Sequence, residues 1–225
     1  MNTNTRTALA GLSRWLVMLA VMFFGSAWSL RFWQAWVYIA IMAAASVAII
    51  AYLAHYDQAL LERRLNTGPV AEKEKSQQRI QAVTSMVGIV LLLLPGFDHR
   101  WHWSQVPATL IILGNVCLAL GFVLVFLVFR VNTYSSGIVE VAKDQRVVST
   151  GPYAFVRHPM YSGAILMFLA TPLALGSWWT LIPAIALSAM IVVRLLDEEK
   201  FLAINLPGYV AYTSQVRSRL IPGAW

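Results

Sequence analysis

Apolar residues in this chain fall into long runs separated by short polar segments, not into the spaced pattern of half-buried elements. The runs at 15–30, 32–54, 82–97 and 106–129 approach or exceed the roughly 20 residues that carry a helix across a bilayer. A further pair, 160–175 and 178–196, is joined at Gly176-Ser177 and predicts a helical hairpin. The first run has small residues near Gly25–Ala27 and so resembles a signal peptide. Because Arg31 is followed at once by the second run, a retained first span in a tight hairpin is the expectation. The pattern predicts an all-α, polytopic transmembrane helix bundle. Residues 1–130 supply about four spans, and residues 131–225 form a C-terminal region built on the helical hairpin.

The polar segments are uneven. Residues 55–81 are the longest, with a break expected at Asn66-Thr67-Gly68-Pro69 between two amphipathic helical pieces. The mixed charge there (Glu62, Arg63, Arg64, Glu72, Lys73, Glu74, Lys75) reads as a solvated interfacial connector, more economically than as a substrate gate. Pro95-Gly96 is expected to end the third run, and Asp98 to Trp103 to form an aromatic, polar turn. His99 and His102 are three apart, a spacing that suits a metal on a helix, but no Cys or acidic cluster accompanies them. They are taken as interfacial residues, and no metal is expected. Cys117 lies within an apolar run, where a thiol is buried and inert. Ile138 to Val148 alternates charge with Val and is expected to be partly extended. Residues 200–225 read as an amphipathic tail.

Composition sharpens the class. The chain is 59% hydrophobic and 12% charged, against about 25% charged in soluble domains. The nine Trp and eight Tyr fit interfacial belts. The formal charge of +7 would suit nucleic acid, but the Lys and Arg lie between apolar runs. Membrane lipids are therefore the expected partner and nucleic acid is not, at about 1 kcal/mol per basic residue near the surface. With the N-terminus cytoplasmic, fifteen of the seventeen Lys and Arg fall on the cytoplasmic side, leaving Arg31 and Arg100 outside. That places residues 131–159 and the tail at the cytoplasmic membrane surface, of the inner membrane if the cell is bacterial.

Candidate chemistry is concentrated at Ser149 to Gly163, STGPYAFVRHPMYSG, and at Arg194 to Glu199, RLLDEE. Gly151, Pro152 and Pro159 predict a shaped loop followed by a helix from about Met160. A helix start favours an anion such as a carboxylate, and Arg157 and His158 add donors. A plainer account makes Arg157 and Tyr161 interfacial anchors. Arg194 and Glu198 are four apart and placed to pair on one helix face. If the hairpin dives into the bilayer and returns, basic loop and acidic cluster meet, and both signs of charge edge one pocket. A zwitterion such as an amino-acid moiety needs that arrangement.

The pattern Gly151-Pro152-Tyr153, Arg157-His158-Pro159, Tyr161, Gly163, Glu198-Glu199, Tyr209 and Tyr212 resembles the isoprenylcysteine carboxyl methyltransferase family of integral membrane enzymes. It is also similar to the related membrane phospholipid methyltransferases. The resemblance covers about residues 135–225, and residues 1–130 carry no comparable motif. It implies S-adenosyl-L-methionine as methyl donor and a lipophilic acceptor reached from the bilayer, with carboxyl O-methylation favoured over phospholipid N- or thiol S-methylation. Carried over by position, the cofactor set is Gln145, Arg146, Val147, Val148, Tyr153, His158, Pro159, Met160, Tyr161 and Glu198. Arg194 is expected to orient the acceptor, and Glu198 to hold the donor's ammonium or a ribose hydroxyl, these two being the catalytic pair. Met160 stands where the family often has a small residue. A carboxylate acceptor is already ionised, whereas an amine or thiol must first lose a proton. Two rival readings remain: an NADPH-dependent membrane reductase, against which the acidic pair argues by repelling phosphates, and a non-catalytic membrane scaffold. The chain lacks the G-x-G-x-x-G loop of soluble dinucleotide-binding folds.

Overall fold

The computed structural model describes residues 2–65, 72, 74–142 and 144–225, and is all-helical. The expected break at Asn66-Thr67-Gly68-Pro69, and Lys73 and Lys143, lie outside the described residues. The helices are α1 (Thr3–Ala27), α2 (Trp33–Tyr56), α3 (Gln58–Leu65), α4 (Lys75–Trp101), α5 (Ala108–Val131), α6 (Pro159–Ala174), α7 (Leu181–Asn205) and α8 (Tyr209–Gln215). Four of them, α1, α2, α4 and α5, are long and apolar enough to cross a membrane. At 16 residues, α6 reaches only about 24 Å at 1.5 Å per residue, short of a full hydrocarbon core. It pairs with the longer α7 as the predicted hairpin.

Two boundaries differ from the sequence expectation. α1 begins at Thr3 instead of Trp15 because its polar first turns carry an apolar edge: Ala8 is buried in a cluster with Leu53, Leu60, Leu61, Val128 and Phe129. α4 begins at Lys75 and runs through Pro95 and Gly96 to Trp101. Pro95 does not end it, since a proline inside a packed membrane helix frees backbone groups that neighbouring helices can satisfy. Gly96 is required there by close approach to α1: a Cβ would lie 1.9 Å from the Ser26 Oγ and 2.7 Å from the Phe23 carbonyl oxygen. Among the described residues of 138–148 there is no strand, and they lie as irregular loop.

Consecutive long helices run antiparallel, so the connections gather at two ends. At one, here called the turn end, lie the tight links 28–32, 102–107 and 175–180. Arg100 sits over the Trp28 ring, Phe32 stacks on His99, and Trp103 meets Trp179. Seven of the nine Trp (all but Trp15 and Trp225) are at or near this end. At the opposite end are the N-terminus, α3, the long loop 132–158 and the tail. Between the two ends, α5 and α6 pack at backbone distance: a Cβ on Gly114 would lie 2.4 Å from the Ala174 nitrogen, and one on Gly163 would lie 3.1 Å from the Gly121 carbonyl oxygen. The glycine of RHPMYSG therefore serves helix contact.

Candidate functional site

The loop that delivers the RHP residues is shaped by punctuation. A short 3-10 turn spans Gly151–Ala154, and Pro159 occupies the first position of α6, where no N–H is needed. His158 is the residue before the helix. The tail then folds back over this junction: the backbone N–H groups of Arg157 and His158 donate to the carbonyls of Ser218 (2.9 Å) and Arg219 (3.0 Å). The Ser162 hydroxyl donates to the Leu220 carbonyl at 2.6 Å.

This strap corrects part of the expectation for Arg157. Its Nε donates to Glu199 at 2.7 Å, and its Nη1 to the carbonyls of Val216 (3.1 Å) and Arg217 (3.0 Å). Those bonds use Arg157 to fasten the tail, and its own N–H is committed as well. Glu199 is the hub, also taking Arg219 Nε at 2.9 Å and lying 3.2 Å from His158 Nε2. Burial alone would raise the Glu199 carboxyl, but the bonds from His158, Arg157 and Arg219 outweigh it and hold its pKa at about 2. Tyr209 and Tyr212, both buried, complete the strap: Tyr212 OH donates to the Tyr153 carbonyl at 2.8 Å, and Tyr209 OH lies 3.4 Å from His158 Nε2. Gly208, at φ +85°, is the left-handed residue that starts α8.

The second carboxylate of the pair does different work. Glu198 accepts from Tyr161 OH, and Tyr161 OH also accepts from Arg194 Nε at 3.0 Å. The expected helical pair Arg194–Glu198 is thus bridged through Tyr161, whose ring stacks on His158 at 5.6 Å between centroids. Arg194 directs its Nη2 to Glu72 at 2.6 Å, and its Nη1 is buried without a hydrogen-bond partner among the described residues. Helix turns and loops from both ends of the hairpin therefore converge, as a dive into the bilayer and a return would bring them.

These groups line a cavity of about 390 Å3. Its wall includes Gln145, Arg146, Val147 and Val148 from the loop, Tyr153 from the 3-10 turn, His158, Met160 and Tyr161 from the α6 start, and Arg194 and Glu198 from α7. Pro159 is buried at the head of α6 and is not on the wall. Met160 is contacted through its sulfur by Arg64 Nη1 (3.9 Å) and Ser135 Oγ (4.0 Å). Burial pushes the Tyr153 hydroxyl up to about 12, even though Asn132 Nδ2 donates to it at 2.7 Å. Tyr209 is likewise raised by burial first and then by the charges of Glu199 and Glu198, so both phenols stay protonated.

Two residues at the site were not foreseen. Glu72, read as part of a solvated connector, is buried. Arg64, on α3, donates to the Ser136 carbonyl at 2.8 Å, lies over the Phe129 ring, and borders the cavity. Burial, and then the charge of Arg194, pull its pKa down against the opposing pull of Tyr161. The sequence held no signal for either, since Glu72 and Arg64 look like their neighbours Glu74 and Arg63. At the turn end, a smaller polar cavity of about 200 Å3 adjoins Asp98, His99 and His102. Among the described residues no cluster of His, Cys, Asp and Glu could hold a metal.

A family model described as Phospholipid methyltransferase matches residues 109–206, from the start of α5 to the end of α7. No curated protein matches the chain. The matched stretch contains RHPMYSG, Arg194 and Glu198-Glu199, so it overlaps the segment whose motif resembles the isoprenylcysteine carboxyl and phospholipid methyltransferases. Over that stretch the chain is similar to membrane methyltransferases, and its four apolar helices of spanning length suit an integral membrane protein.

Proposed function

We propose that this protein transfers a methyl group from S-adenosyl-L-methionine to a lipid-like acceptor, at a pocket facing the cytoplasm. The observation that carries the reading is the convergence on one cavity of His158 and Tyr161, from the start of α6, with Arg194 and Glu198, from α7. The donor's chemistry fits the residues present. The cavity, about 390 Å3, falls within the range of small-molecule pockets, about 300–1,000 Å3. Its wall offers a carboxylate for an ammonium, basic groups for a carboxylate, and aromatic and Val side chains for a flat base. Bound there, the donor supplies a sulfonium methyl whose carbon–sulfur bond breaks as an acceptor lone pair attacks.

The chain's own residues bind, orient and exclude water. Glu198 takes the ammonium or a ribose hydroxyl, with Tyr161 fixing its carboxylate. His158, Met160 and Tyr161 form one wall of the donor site, and Gln145, Arg146, Val147, Val148 and Tyr153 the other. Arg194 holds the acceptor's anionic group. Fixing two reactants in line in a dry cavity can itself supply much of the rate. A carboxylate acceptor, the favoured case, needs no base. The name of the matching family supports the second case, a phospholipid amine, which must shed a proton before it reacts.

Calorimetric titration of the detergent-solubilised chain tests the reading. S-adenosylhomocysteine should bind, and Glu198→Ala and His158→Ala should each weaken it by about tenfold or more, as expected for losing one charge-assisted contact. Binding of reduced nicotinamide cofactor in its place would make the reductase reading the better one.

A further inference from the structure

Glu72 is held from several sides. Its Oε1 accepts from Arg194 Nη2 at 2.6 Å and from Gln81 Nε2, its Oε2 accepts the Val139 N–H at 3.0 Å, and its carbonyl takes Gln78 Nε2 at 2.8 Å. The carboxylate is fully buried. Such a charge is retained only where its partners are fixed, because burying it unpaired is costly. Arg194 in turn is pinned on two sides, by Glu72 at Nη2 and by Tyr161 at Nε, while Nη1 has no hydrogen-bond partner among the described residues. A purely structural ion pair would be expected to leave no buried nitrogen over, as at Arg157, whose Nε and Nη1 go to Glu199 and two carbonyls. Arg194 instead keeps donors in reserve, in a cavity that a second guanidinium, Arg64, also borders.

Resting on the reading of Arg194 as the acceptor's docking point, we propose that Glu72 is a positioning residue for it. Glu72 fixes the Arg194 guanidinium so that the Nη1 side remains for the anionic group of the acceptor, a phosphate or a carboxylate. The donor side of the site is reached through Tyr161 and Glu198, and the acceptor side through Glu72. Removing the Glu72 charge should therefore weaken acceptor recognition and leave donor recognition intact, a split that loss of folding does not produce.

The test compares two ligand pairs in uncharged detergent micelles: an N-acyl-S-prenylcysteine against its methyl ester, and phosphatidylethanolamine against diacylglycerol with the same chains. The full chain should bind the member of one pair that carries the carboxylate or the phosphate about tenfold tighter than the member that lacks it, the size of one charge-assisted contact. The pair that shows the preference identifies a carboxylate or a phosphate as the group recognised. Glu72→Gln should reduce the preference to about threefold or less and leave S-adenosylhomocysteine affinity within about twofold. Should Glu72→Gln fail to fold, Glu72→Asp, one methylene shorter with the charge kept, should show a reduced preference. A preference that survives these substitutions, is absent from the unsubstituted chain, or falls in step with S-adenosylhomocysteine affinity overturns the proposal. Failure of the unsubstituted chain to bind S-adenosylhomocysteine counts against the methyltransferase reading alone, since the acid–neutral comparison does not use the donor.

Discussion

Both ends of the bundle bury acidic side chains beside a cavity, yet they treat them differently. At the turn end, Asp98 accepts the Ser104 N–H at 2.7 Å, the Ser104 hydroxyl at 2.6 Å and the Ser177 hydroxyl. Ser177 in turn accepts from Thr180 at 2.8 Å. The carboxylate is surrounded by short neutral donors from the two segments beside it, and its work is to tie the α4–α5 link to the α6–α7 link. At the opposite end, Glu72, Glu198 and Glu199 face guanidiniums, a phenol and an imidazole, and Arg194 keeps a nitrogen unpaired among the described residues. A closed network of neutral donors fixes shape. An open one of long, charged side chains can exchange a partner for a ligand, and within it Glu199 takes the closed role and Glu198 the open one.

Asp98→Ala should separate the two roles most clearly. It strips the acceptor from three donors, one buried and two partly buried, a loss of about 2–4 kcal/mol, tempered by water filling the adjoining cavity. Thermal unfolding in detergent should fall accordingly, with S-adenosylhomocysteine affinity of the folded protein unchanged. Glu198→Ala should do the reverse. If Asp98→Ala weakens donor binding as much as it weakens the fold, the division between the ends is wrong.

How much of this was legible beforehand follows from which interactions leave a local trace. Span-length apolar runs are local, so the bundle, its hairpin and its antiparallel order could be read directly. The meeting of the RHP loop with Glu198-Glu199 also followed, because a hairpin of that length returns its ends to one side. The division of labour between the two glutamates did not, since it depends on the last ten residues returning to bond Arg157 and His158. Pro95 misled because a proline breaks a helix only when its freed groups lack new partners. Glu72 was missed because its burial is created by Val139, Gln81 and Arg194, none near it in sequence except Gln81.

The α5–α6 seam joins the two ends and grades the comparison. Gly114 lies toward the turn end, where an added Cβ meets backbone, 2.4 Å from the Ala174 nitrogen and 2.9 Å from the Leu173 carbonyl carbon. Gly163 lies toward the site, where the same atom meets the Gly121 carbonyl oxygen at 3.1 Å and a Val125 methyl at 3.2 Å. Backbone cannot step aside as a side chain can. Gly114→Ala should therefore cost about 1–3 kcal/mol and Gly163→Ala less. Equal unfolding temperatures for the two variants would show that the helices separate freely along their whole length.

The smallest effect tests the closed part of the site end. The Glu199 carboxyl is held at about 2, against an ordinary 4.5. A depressed folded-state value means that the ionised group stabilises the fold above pH 4.5 and that this contribution is lost as pH falls from there toward 2. Discounted for partial solvent screening, it is worth about 1–2 kcal/mol. Glu199→Gln removes the titration. The unsubstituted chain should thus lose more stability than Glu199→Gln between pH 6 and pH 3, with the difference closing at the acid end. The first part to loosen should be the strap, since Arg157 and Arg219 both spend their Nε bonds on that carboxylate. Faster amide exchange at Ser218–Leu220 in acid, without a matching change at the turn end, is the expected readout, and uniform acceleration at both ends would place the acid sensitivity elsewhere.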